Sequence, residues 1–115
     1  MRVFKNKSVT KFAVKNRISD SDLLAAVERA NQGLVDADLG GGVIKQRLAR
    51  RGQGKSGGFR TVILFKTRQR AIFVIGFAKN NQAASFFLEL SESAIDAIVA
   101  TGEFVEVIAH EKTLS

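Results

Sequence analysis

Cysteine is absent, so the chain can form no disulfide and offers no thiolate to a metal. That fits a reducing compartment. Tryptophan and tyrosine are absent too, which leaves nine phenylalanines as the only aromatics. The single histidine, His110, lies near a polar end and reads as an ordinary solvated side chain. With no His/Asp/Glu cluster at ligand spacing, zinc chemistry lacks its ligands, and a Ser/His/Asp arrangement lacks a placed histidine. Long apolar runs are missing as well. The longest, Ala71 to Ala78, falls far short of the roughly 20 residues a membrane helix needs. The first residues, MRVFKNKSVTK, contain no continuous apolar stretch, so no secretory leader is expected. The expected setting is cytoplasmic, with no membrane partner, no metal and no small-molecule cofactor.

The most informative absence is local. Between Val43 and Arg70 stand Lys45, Arg47, Arg50, Arg51, Lys55, Arg60, Lys66, Arg68 and Arg70, with no Asp or Glu among them. The net charge of +7 is likewise uneven: residues 1–70 carry sixteen Lys/Arg against five Asp/Glu, residues 71–115 two against six. A basic working face and a separate acidic end follow from that asymmetry. Solubilising charge alone would normally be interleaved. An unbroken cluster points to a polyanion, and nucleic acid is the expected one. With no Trp or Tyr, stacking on a base would fall to Phe or to arginine planes. Phe59 and Phe77 are the candidates, although a core role suits both better.

What is present makes one α+β domain over residues 1–115. Apolar residues reach 45%, enough for a single core. Arg2 to Lys5 reads as a short strand. Over Ser8 to Asn16, Val9, Phe12 and Ala13 fit a helical stripe, with Ser8 as its cap, against a competing alternation of Thr10, Phe12 and Val14. Ser19 caps a clearer helix, with Asp22 at the third position, Ile18 and Leu23 as a staple, a stripe of Leu23, Leu24, Val27 and Ala30, and Gly33 as the stop. Asp20, Asp22 and Glu28 read as a solvated face with favourable dipole placement.

Asp36 to Gly42 turns the chain into the sheet, and three consecutive glycines call for positive φ or close backbone approach. Three strands follow, joined by two turns. In the first, Val43 to Ala49, a period of two puts Lys45 and Arg47 on one face and Ile44 and Leu48 on the other. The loop RGQGKSGG resembles the end of a Walker A motif, but Ala49 replaces its first glycine and a strand follows where a helix is required. Phe59 to Lys66 and Ala71 to Ala78 are nearly continuous apolar runs and read as central strands covered on both faces. Asn80 to Leu90 reads as helical. Ser91 caps a helix over Glu92 to Thr101 with an Ile95, Ile98, Val99 stripe, expected to pack on the sheet face opposite Lys45 and Arg47. Phe104 to Ile108 reads as a last strand or a partner-binding tail.

Three pieces of this stretch carry a resemblance. They are Lys45-Gln-Arg47, the loop from Gly52 through Gly54-Lys55 and Gly57-Gly58 to Arg60, and Gly76-Phe-Ala-Lys79-Asn80. Together with LVDADLGGG ahead of them, they make the chain similar to the RelE/HigB superfamily of bacterial type II toxins, over roughly residues 1–110. The resemblance implies two N-terminal helices on a small twisted antiparallel β-sheet, to which the reading above adds a C-terminal helix. It implies a RelE/ParE-like mRNA interferase: a ribosome-associated endoribonuclease that inhibits translation and is restrained by a cognate antitoxin. A helix-turn-helix antitoxin, the ribosome and mRNA are the expected partners. Carried over by position, Lys45, Arg47, Arg60 and Lys79 form the catalytic set, with Arg50, Arg51, Lys55, Arg68 and Arg70 binding RNA. Asn81 departs from the acidic residue relatives commonly carry, and the absence of tyrosine removes a group some relatives use. A non-catalytic nucleic-acid- or antitoxin-binding module, and a gyrase-inhibiting toxin of the same fold, are the alternatives.

Overall fold

Asn6 decides how the chain leaves its first strand. The computed structural model describes residues 1–48, 58–67, 69–78, 97, 100 and 102–108. In it strand β1 (Arg2–Asn6) runs directly into helix α1 (Lys7–Lys15). The Asn6 carbonyl oxygen of the side chain accepts from the Val9 N–H at 2.9 Å, and its amide nitrogen donates to the Val74 carbonyl at 2.9 Å. The cap is therefore Asn6, not Ser8. An asparagine both accepts from the helix and donates into the sheet, whereas Ser8 already sits within the first turn. Val9 and Ala13 are buried and Phe12 partly so, while Val14 is exposed. The helical stripe prevails over the alternation.

Helix α2 (Asp20–Asn31) begins with a full capping box, Ser19 accepting from the Asp22 N–H and Asp22 accepting from the Ser19 N–H. It ends on Gly33 at φ +86°, with Gly33 N–H to the Ala30 carbonyl and Leu34 N–H to the Arg29 carbonyl. That is the Schellman arrangement, and it needs the left-handed residue glycine supplies. The buried stripe is Leu23, Ala26 and Val27, with Leu24 and Ala30 at its margin. Of the acidic residues expected to be solvated, Asp20 is instead paired with Lys5 at 2.8 Å, tying α2 to β1.

Five further strands complete one sheet: β2 (Ala37–Gly40), β3 (Val43–Leu48), β4 (Phe59–Thr67), β5 (Arg70–Ala78) and β6 (Phe104–Glu106), in the order β2-β3-β4-β5-β1-β6. The expected meander of three strands is β3-β4-β5, and β6 is the expected last strand. Two expectations are corrected. The sheet is mixed, because β1 lies parallel to β5. Two helices intervene between β1 and the rest of the sheet, so no hairpin dictates its direction. And β2, read as a turn, is an edge strand antiparallel to β3. Gly41 and Gly42 make the turn at positive φ; a Cβ on Gly42 would stand 2.8 Å from the Phe65 carbonyl oxygen.

Helices α1 and α2 cover one sheet face and bury Ile44, Leu48, Phe59, Ile63 and Phe73. On the other face Val43, Val62, Leu64, Ile72, Val74, Ile75 and Phe77 form a second buried cluster, joined by Phe4 and Phe104. The central strands are thus buried on both sides, as their unbroken apolar runs required. A one-residue bulge interrupts the ladder between them: Val62 pairs with Ile75 and Ile63 with Phe73, so Val74 is the extra residue. Beyond it the alternation is inverted. Phe77 moves to the second cluster, and Gly76 faces the helices, where a Cβ would run into the Phe12 ring. The helices expected at Asn80–Leu90 and Glu92–Thr101 lie outside the described residues except for Ala97 and Ala100, both helical. The face opposite Lys45 and Arg47, expected to receive the second of them, carries α1 and α2.

Candidate nucleic-acid interface

The ladder between β3 and β4 runs without a break from Val43 opposite Leu64 to Leu48 opposite Phe59. Regular pleating therefore holds Lys45 and Arg47 on the sheet face opposite α1 and α2, and Arg60 stands directly opposite Arg47. Lys45 is half-buried, the Arg47 side chain is 60% exposed and that of Arg60 only 14%. Ile44 and Leu48 are buried on the other face, as alternation required.

Like charges at directly opposed positions repel. Here a carboxylate answers both: Asp36 Oδ2 lies 3.9 Å from Arg47 Nε and 3.9 Å from Arg60 Nε. Asp36 precedes β2, and its main-chain N–H donates to Gln46 Oε1 at 3.1 Å. Gln46, between Lys45 and Arg47 in sequence, points the other way and is 1% exposed. Its amide nitrogen donates to the Ala26 and Leu34 carbonyls at 3.0 and 2.9 Å. Thr61 Oγ1 donates to the Gln46 carbonyl, and the Arg29 guanidinium donates to the Arg47 carbonyl. A buried amide with all its partners met fixes the strand from which the two cations project. Beside them a cleft of about 450 Å³ is lined by Arg29, Leu34, Val35, Asp36, Gln46 and Arg47.

Arg70, expected to bind RNA, is elsewhere. It opens β5 near the β4–β5 turn and lines a groove of about 260 Å³ with Phe4, Lys66, Ile72 and Phe104. Lys66 lies six positions along β4 from Arg60, roughly 20 Å at the strand rise. The described cations of β3, β4 and β5 thus form two groups. Lys79, Arg50, Arg51, Lys55 and Arg68 lie outside the described residues. Phe59 and Phe77 are core: Phe59 meets Phe12 edge to face at 5.4 Å, and Phe77 belongs to the second cluster. Among the described residues no group of three or more His, Cys, Asp and Glu is placed to hold a metal, and no helix is long and apolar enough to cross a membrane.

Sequence reasoning missed Gln46 and Asp36. A polar residue between two same-face cations on a strand must face the core, so Gln46 was available from the period of two. Asp36 was not, since nothing local says which strand a pre-strand carboxylate will reach.

The family model for the RelE toxin of the RelE / RelB toxin-antitoxin system matches residues 1–107 of this chain. No individual curated protein matches it.

Proposed function

The chain belongs to the RelE family, toxins of toxin-antitoxin systems that pair with an antitoxin, and on that premise we propose that it is a metal-independent endoribonuclease cleaving mRNA on the ribosome. The observation that carries this reading is the convergence of Lys45, Arg47 and Arg60 on one sheet face, opposite α1 and α2. Cleavage of this kind begins when a ribose 2′-OH attacks the adjacent phosphorus. The P–O5′ bond then breaks, leaving a 2′,3′-cyclic phosphate and a 5′-hydroxyl. A base takes the 2′-OH proton, and the leaving 5′-oxygen receives one.

Negative charge builds on the phosphorane oxygens, and fixed guanidinium groups stabilise it most where they are held in advance. Arg47 and Arg60, side by side across the ladder, take that role in this reading. Lys45, two residues along on the same face, neutralises phosphate or donates to the leaving oxygen. Lys79 completes the set, with Lys55, Arg50, Arg51, Arg68 and Arg70 along the RNA path. The antitoxin, of helix-turn-helix type, restrains the activity, and the protein works in the cytoplasm beside the ribosome.

Primer extension on mRNA from cells making the protein tests this. Discrete new 5′ ends are expected on a translated message, and none on the same message without its start codon. The new ends should vanish with Arg47→Ala and Arg60→Ala combined. Growth arrest without new ends would overturn cleavage and leave the non-catalytic or gyrase-directed alternatives.

A further inference from the structure

Asp36 is the one acidic side chain that reaches the Arg47–Arg60 pair among the described residues. Both distances, 3.9 Å, are ion-pair distances and too long for hydrogen bonds. The carboxylate orients the two guanidinium groups by charge and takes none of their N–H donors, one of which, on Arg60 Nη1, goes to the Phe59 carbonyl at 3.4 Å. Its own place is set from the core, through the Asp36 N–H to Gln46 Oε1 and from Gln46 to the Ala26 and Leu34 carbonyls. Its side chain is nevertheless 31% exposed, on the side from which a polyanion would arrive. To a guanidinium, a carboxylate and a phosphate present the same planar pair of oxygens.

We propose that Asp36 is a positioning residue for Arg47 and Arg60: it holds the two guanidinium groups converged in the free protein, in the arrangement a phosphate will use, and competes with that phosphate for them. This rests on the reading of the sheet face as the RNA site. Its consequence separates binding from turnover. Neutralising Asp36 removes a competitor, so RNA should bind more tightly. It also leaves two like charges unrestrained at opposed positions, so the pair should splay and the reacting arrangement should be populated less often.

The test compares the full chain with its Asp36→Asn and Asp36→Glu variants. In the free protein, the side-chain Nε–H resonances of Arg47 and Arg60 are expected to move together in Asp36→Asn and to return towards wild type in Asp36→Glu. An RNA oligonucleotide with 2′-deoxy residues, which lacks the attacking hydroxyl, should bind Asp36→Asn more tightly, with the salt slope steeper by up to about 0.7. Cleavage of message on programmed ribosomes should slow about ten- to a hundredfold at saturation, the range that misplacement of reacting groups produces. Asp36→Glu should recover most of it. Unmoved arginine resonances, weaker oligonucleotide binding, or undiminished cleavage by Asp36→Asn would each overturn the assignment. If the wild type binds RNA and cleaves none, the proposed function fails, while the resonance and affinity measurements still decide the role of Asp36.

Discussion

At the scale of single residues, three side chains have consequences that can be measured. Asn6 does two jobs with one amide, capping α1 and donating to the Val74 carbonyl at the bulge. Asn6→Ala should destabilise the fold by about 2–4 kcal/mol, combining a lost cap with a buried carbonyl deprived of a donor. Asn6→Ser keeps an acceptor for the helix but not the donor, and its thermal melt should fall between the two. Gly42→Ala places a side chain at φ +82° and drives its Cβ towards the Phe65 carbonyl. A loss of about 1–3 kcal/mol is expected, read from denaturant midpoints. Arg47 is different, being mostly exposed and facing a like charge. Arg47→Ala should stay within about 0.5 kcal/mol of wild type in stability and yet abolish growth arrest. A folded variant that remains fully toxic would remove Arg47 from the site.

At the scale of elements, the edge strand β6 is joined to β1 by three residue pairs and one ion pair. Arg2 holds Glu106 through two hydrogen bonds, of 3.1 and 3.0 Å, and lies over the Phe4 ring at 5.0 Å. The hydrogen bond from Arg2 holds the Glu106 carboxyl below its ordinary value, desolvation opposes it, and the guanidinium charge adds a smaller lowering. A depressed carboxylate contributes stability above its unfolded pKa, about 4.3, and loses it as pH falls through the folded value. Arg2, raised further by the same contact, stays charged throughout. The stability difference between wild type and Glu106→Gln should therefore be constant near neutrality and shrink on acidification below about pH 4. Denaturant titrations at a series of pH values check this. A difference that persists at acid pH would mean that Glu106 acts through packing.

At the scale of the molecule, the described cations of β3, β4 and β5 fall into two groups, one at Lys45, Arg47 and Arg60 and one at Lys66 and Arg70. If RNA meets the first group, several phosphates are neutralised, and affinity should fall with salt by roughly 0.7 in log–log slope per contact. Replacing Lys45 and Arg47 together should lower that slope by about two contacts. A slope near zero in the wild type would reduce the cation cluster to solubilising charge.

Much of this organisation was legible in the chain because it is local. The capping box at Ser19 and Asp22, the glycine stop at Gly33 and the Leu23–Val27 stripe all operate within one or two turns. The period of two that places Lys45 and Arg47 together needs only that Val43–Leu48 be a strand. Even the double burial of β4 and β5 follows from their unbroken apolar runs. Other features depend on residues far apart in sequence, and no local signal carries them. Parallel insertion of β1 between β5 and β6, the β2 edge strand and the pairing of Arg47 with Arg60 are choices of partner and register, made when whole surfaces are buried together. The Val74 bulge inverts the alternation of β5, so a strictly periodic reading would have turned Phe77 to the helices and Gly76 away from them. Asp36 reaches two arginines on two other strands only because the sheet has closed around it. Sequence alone determined which side chains share a face along α2 and β3; tertiary structure decided the bulge in β5 and which faces, strands and charges meet, since that choice rests on long-range packing and not on local periodicity.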